Sequence, residues 1–290
     1  MKHFFVAVVC FLSIQFSVAQ KTDKKLQAKA EELIKGFNGD IGIYIKDLKT
    51  GKIVAINADT IFPTASMVKI PILLGIIEKM NKGELSYHQP LVYKDSLLYA
   101  GSDILGSFKN NETVELSKVI MLMLTTSDNT ASLWLQSIAG TGTRINEIVD
   151  SLGFVSTRVN SRTIGREENR NLYGWWQTSA REMATILEKV YHKEIFNDNA
   201  CIRMMRLLGR NYWDEEGLSQ VPPTIEVFSK NGAVNASRSE VMLVNAPNHP
   251  YVFCILTKNI KDQSWGAGNE AWSLTRKLSA MLWEYFGERR

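Results

Sequence analysis

The sequence predicts an α/β (α+β) fold in which an antiparallel sheet, assembled from both ends of the chain and flanked by helices, carries an inserted all-helical region. Three observations lead there. Strand-period segments cluster near the start and again after residue 224, the middle holds helix-period segments, and amphipathic helices stand outside both strand clusters. The sheet part is expected over about 20–60 and 210–290, the helical part over about 61–209.

Residues 21–35 place Leu26, Ala30, Leu33 and Ile34 on one helical face. IGIYIKDL (41–48) and KIVAINA (52–58) alternate around the turn LKTGK, the pattern of a hairpin. After TASMVKIPILLG (64–75), residues 93–108 read as an irregular loop. Helices are expected at 115–124, 128–139 and 143–153, the second capped by Ser127 or Asp128 and the third closed by Gly153. No periodicity holds from Asn160 to Gln177, a loop too rich in aromatics for disorder. Ser179 with Glu182 forms a capping box for a helix over 180–192, and 199–209 is one more. IEVFSK, SEVMLVNA and YVFCILTK are strands, and 271–286 closes the chain as a helix.

Residues 1–19 combine an early Lys, an apolar run and small residues at Ser17 and Ala19, the make-up of a secretory signal peptide. The expected product is residues 20–290, a secreted or periplasmic monomer without a membrane anchor. Its charges, 34 basic against 30 acidic over the whole chain, are intermixed and leave no footprint for nucleic acid. Cys201 and Cys254 read as two buried thiols rather than a pair. His and Cys spacing suggests no metal, and no cofactor is expected.

In TASMVKIPILLG, Ser66 and Lys69 stand three apart at the head of an apolar run, which puts hydroxyl and ammonium on one helical face. Pro71, lacking an N–H, places the helix start close by. Two further triplets follow in order, Ser127-Asp128-Asn129 and Lys230-Asn231-Gly232. Singly, each is also an ordinary N-cap or strand end; the ordered set follows the S-x-x-K, S-D-N, K-[ST]-G pattern of active-site serine acyl-transfer enzymes, matching the first two in full and the third except at Asn231. Lys49-Thr50-Gly51 spells the last triplet in full, but it precedes the nucleophile at a hairpin tip and reads as a turn.

With FPTASMVKIP, SDNTASLWL and KNGAVNASRSEVMLVN followed by PYVFCILTK, the chain resembles the class A serine β-lactamase family over nearly all of residues 20–290. The resemblance implies the β-lactamase/D,D-peptidase-like fold and a small-molecule substrate, a β-lactam or an acyl-D-Ala-D-Ala-like peptide. It implies Ser66 as nucleophile, Lys69 as its base or charge partner, and Ser127 as proton relay. Asn129 would bind the substrate amide, Ser66 and Ala233 N–H groups the oxyanion, and Lys230, Asn231, Gly232 and Arg238 the substrate carboxylate side.

Two departures from the family pattern stand out. Asn231 occupies the Ser/Thr position, where an amide can donate a hydrogen bond but cannot shuttle a proton. Thr163 falls where the family carries its deacylating glutamate. Glu167, four residues on and spaced to Asn171 like the family's Glu and Asn, is either that base in a shifted loop or a solvated acid beside Arg166 or Arg170. The sequence therefore supports a β-lactamase first. A penicillin-binding, D,D-peptidase-like or esterase-like relative with poor β-lactam turnover comes second, and a non-catalytic ligand-binding descendant third.

Overall fold

The computed structural model describes residues 21–101 and 103–287; the segment read as a signal peptide lies outside them. Helix α1 (Lys24–Leu33), capped by the Asp23 side chain, leads into strands β1 (Asp40–Asp47) and β2 (Ile53–Ile56). Lys49-Thr50-Gly51 lies in the turn between these strands, with the Asp47 carboxylate accepting from the Lys49 and Thr50 N–H groups. A short β3 (Phe62–Pro63) precedes a 3-10 turn, Ala65–Val68, and α2 (Lys69–Asn81). β4 (Pro90–Val92) pairs with β5 (Thr113–Glu115), and helices α3 (Leu116–Thr125), α4 (Asn129–Ile138) and α5 (Thr141–Ser151) follow. Then come β6 (Arg158–Val159), α6 (Glu167–Tyr173), β7 (Trp176–Thr178), α7 (Ala180–Tyr191) and α8 (Asp198–Leu208). Strands β8 (Val227–Val234), β9 (Ser237–Val244) and β10 (Tyr251–Lys258) lead to α9 (Glu270–Leu282).

The main sheet runs β2-β1-β10-β9-β8, antiparallel throughout, so the two ends of the chain meet where β1 pairs with β10. Its two faces explain the long apolar runs in β9 and β10, since a strand covered on both sides keeps no polar face. On one side α1, α9 and the turn after α9 bury Leu26, Leu274, Leu278 and Phe286 against the sheet; on the other, α7 joins the core of the helical region. That region is built around α2, whose residues Lys69 to Glu78 are all buried. A helix apolar on every side belongs in the middle of a bundle.

Three local readings change. The segment 160–177 is not irregular throughout: α6 forms within it, and Arg166 and Asn169 both donate to the Gln177 side chain. The capping box is half made. Ser179 accepts from Glu182 N–H, but the Glu182 carboxylate accepts from the N–H groups of Val155, Ser156 and Thr157 instead. Finally, β8 runs straight through Lys230-Asn231-Gly232, so that triplet is strand rather than strand end. Cys201 and Cys254 are both free and buried. Among the described residues no helix is long and apolar enough to cross a membrane.

Candidate active site

Ser66 sits in the 3-10 turn directly before α2, with Pro71 in the first turn of that helix, where its missing N–H costs little. The residue before it, Ala65, has φ 46°, a left-handed conformation rare for a residue with a side chain. Ser127, at the tip between α3 and α4, has φ 62°. Two strained backbones therefore hold the two serines toward each other, the kind of strain that surrounding packing must enforce.

Lys69 lies between them. Only 1 % exposed, its Nζ is 3.0 Å from Ser66 Oγ, 2.9 Å from Ser127 Oγ, 2.7 Å from the Ser127 carbonyl and 3.1 Å from Asn129 Oδ1. An ammonium has three N–H donors for these four oxygens. Burial pushes the Lys69 pKa well below the ordinary lysine value, the Lys230 charge pushes it further, and Asp128 opposes both. A neutral amine there has a lone pair that can take the Ser66 proton.

Asp128 caps α4 by accepting from Ala131 N–H at 2.7 Å. Its other oxygen accepts from Ile104 and Leu105 N–H at 2.6 and 2.8 Å, tying the 95–107 loop to the site. Asp128→Ala is expected to cost about 3 kcal/mol, a cap plus two charge-assisted bonds left unmade. Urea unfolding midpoints with an unchanged m value check this.

The wall opposite Ser127 is β8. A Cβ on Gly232 would come within 2.7 Å of both the Ser66 nitrogen and the Thr64 carbonyl, so glycine is what lets the strand approach the nucleophile. Ala233 follows it and lines the cavity on both sides of Ser66. Lys230 is fully buried, its Nζ donating to the Asn231 carbonyl (3.1 Å) and Asn231 Oδ1 (3.3 Å). Burial pushes its pKa down to about 7 against the favourable field of Glu240.

Glu240, on the neighbouring strand opposite Asn231, was not singled out from the sequence, although a lone carboxylate inside the apolar run SEVMLV is a visible signal. It is fully buried, one oxygen accepting from Gly217 N–H at 2.9 Å and the other without a partner among the described residues. Burial pushes its pKa up to about 8. A carboxyl raised in the folded state contributes stability below the unfolded value near 4.5 and loses it as pH rises through 8. Glu240→Gln should therefore match the parent near pH 4 and exceed it by roughly 2 kcal/mol or more at pH 8. Unfolding curves over that pH range test it, and a gap that shrinks with pH would reverse the sign.

Three of the expected site residues do not line the cavity, Lys230 buried behind Asn231 as described above, Arg238 and Glu167. Arg238 is 1 % exposed; its guanidinium donates to the carbonyls of Val234, Ser237 and Ser264 and lies 4.4 Å beneath the Trp265 ring. Its Nε has no partner among the described residues but is buried with the rest of the guanidinium, and Arg238 is not among the residues lining the cavity. Glu167 begins α6, is exposed, and turns back to accept from Gly165 N–H at 3.3 Å. Thr163 is buried, with its hydroxyl on the Ser161 carbonyl and tight against Gly142.

Around Ser66 the cavity has two halves of about 510 Å³ each. Tyr99, Tyr173, Trp175 and Trp176 line one half, with Tyr99 packed edge-on to Trp175 at 4.8 Å. The other holds Ser127, Asn129, Asn231 and Gly232 with Trp213, Trp265, Trp272, Glu215 and Glu216. The sequence marks Tyr173, Trp175 and Trp176 only as members of an aromatic-rich segment, and Tyr99, Trp213, Trp265 and Trp272 carry no signal there because distant parts of the chain bring them to Ser66. Among the described residues no cluster of His, Cys, Asp or Glu has the arrangement to hold a metal.

Comparison with known proteins agrees with this architecture. The chain is 24 % identical over 259 residues to Beta-lactamase VEB-1 of Pseudomonas aeruginosa, covering 86 % of each. Its fold matches PBP-A with a TM-score of 0.81 at 22 % identity, over 92 % of this chain and 97 % of that one, and equally a PBP-A variant in an acyl-enzyme complex with penicillin G. A representative class A beta-lactamase from Bacteroides cellulosilyticus DSM 14838 matches with a TM-score of 0.81 at 17 % identity, over 93 % and 99 %. Residues 25–286 match the model of the beta-lactamase enzyme family, and with the Ser66, Lys69 and Ser127 cluster at its centre the chain belongs to that family.

Proposed function

We propose that the protein is an exported, monomeric serine hydrolase that opens β-lactams through an acyl-enzyme on Ser66, with no metal or organic cofactor. The observation that carries this reading is the position of Lys69 Nζ, within hydrogen-bond reach of both Ser66 Oγ and Ser127 Oγ. Neutral Lys69 takes the Ser66 proton as Oγ bonds to the lactam carbonyl carbon, and the oxyanion forms between the Ser66 and Ala233 N–H groups. The carbonyl C–N bond then breaks. Ser127 gives its proton to the leaving nitrogen and is reprotonated from the Lys69 ammonium. Water then attacks the ester, the acyl group leaves as a carboxylic acid, and Ser66 recovers its hydrogen.

Asn129 suits the substrate amide. Asn231, with its carbonyl oxygen on Lys230, presents its NH₂ where the family pattern has a hydroxyl. Lys230 acts chiefly by depressing the Lys69 pKa. Because neither Glu167 nor Thr163 is among the residues lining the cavity, release is slower than attack, which favours a penicillin-binding character over rapid turnover. Intact-mass measurement of residues 20–290 mixed with a penicillin tests the scheme: a covalent adduct that appears in the parent and is absent from Ser66→Ala is expected. An adduct surviving in Ser66→Ala, or none in the parent, sinks it.

A further inference from the structure

The half of the cavity on the Ser127 side is where the group attached to the leaving nitrogen would lie, and its lining is unusual for a site meant to hold an anion. Three indoles, Trp213, Trp265 and Trp272, stand there with the carboxylates of Glu215 and Glu216. The cations nearby are withdrawn from it. Arg238 is buried under the Trp265 ring, gives three N–H groups to backbone carbonyls and does not line the cavity. Lys230 is buried behind Asn231, and Arg276 does not line the cavity but pairs with Glu216. Glu216 is therefore largely compensated, whereas Glu215 is exposed and makes no ion pair among the described residues.

We propose that this half of the cavity, built by Trp213, Trp265, Trp272 and Glu215, accepts an organic cation carried on the leaving side of the substrate. The inference rests on the acylation chemistry above. Indole faces attract an ammonium or pyridinium through the ring quadrupole, and a carboxylate at the mouth adds to the attraction. Neither favours a second anion. Trp213 is held in place by donation from its Nε1 to the Thr126 carbonyl at 3.0 Å, so the wall is anchored to the loop that presents Ser127.

The test uses two cephalosporins with the same acyl side chain and the same carboxylate, one bearing a pyridiniummethyl and the other an acetoxymethyl group at the 3-position. Second-order acylation rates are read by intact mass. The cationic compound is expected to acylate about fivefold faster, and Glu215→Gln and Trp213→Ala should each bring the ratio toward one. A ratio at or below one in the parent, or a ratio that neither substitution changes, overturns the proposal. Should neither compound label Ser66, the acylation reading itself fails, and a binding measurement then decides about the subsite. Titration of indole fluorescence with benzyltrimethylammonium should give at least about fivefold tighter binding than with phenylacetate, a difference lost in Glu215→Gln. Equal binding of the two probes rejects the cation subsite.

Discussion

Lys69→Met is expected to slow acylation of Ser66 by a penicillin about 10³-fold or more, within the range a positioned general base supplies. The argument begins with burial. Lys69 is enclosed by α2, the Ser127 tip and Asn129, and its Nζ meets only oxygens that belong to the reaction or hold it in place. Without the amine, the Ser66 proton has no acceptor among these contacts and the Ser127 hydroxyl loses its donor. Methionine fills the same volume without a buried amine, so the thermal midpoint should not fall. The sign of the pH effect follows from the depressed pKa: the active amine is the deprotonated one, so acylation in the parent rises with pH until Lys69 is neutral. Lys69→Met should remove that rise. Lys230→Met, which takes away a neighbouring positive charge, should move it to higher pH because the Lys69 ammonium becomes easier to keep. A rise that moves to lower pH in Lys230→Met would contradict the coupling.

Much of this site was legible before any coordinates, for a definite reason. Ser66 and Lys69 are brought together by three residues of local helical geometry, and the meeting of the chain ends follows from strand patterns on either side of a helical middle. Charged residues whose partners are distant in sequence were harder to read. Arg238 shows in the sequence as a forked cation, but not that Trp265, from another loop, covers it and that three backbone carbonyls hold it in place. Helix α6 spans seven residues without an apolar stripe and is held by Arg166 and Asn169 reaching Gln177, a tertiary cause that no period reveals. The Glu182 carboxylate likewise went to three backbone N–H groups across the fold rather than to its own helix cap, because those donors had no other partner to take.

The position of Glu167 leads to the second large effect. After mixing with excess penicillin, the acyl-enzyme should accumulate to about one adduct per molecule, with release at least about 10²-fold slower than attack, the order of effect carried by a missing general base. Tyr99, Tyr173, Trp175 and Trp176 line the half of the cavity beside the 160–177 loop, and no carboxylate is among the described residues around it. A water entering there meets ring faces and edges beside the polar groups of Lys69, Asn129 and Ser132, with no carboxylate among them to serve as a dedicated base for release. Glu167 lies outside, turned to Gly165, and Thr163 is locked on Ser161, so neither stands where a base is needed. Glu167→Gln should consequently leave the release rate within about twofold of the parent, the change expected of an exposed carboxylate that does not line the cavity. Rapid-quench intact mass for attack, and the decay of the adduct after removal of free penicillin for release, give the two rates. Rapid product formation without an adduct, together with a trapped adduct in Glu167→Gln, would mean that the loop swings during catalysis and delivers Glu167 to the ester.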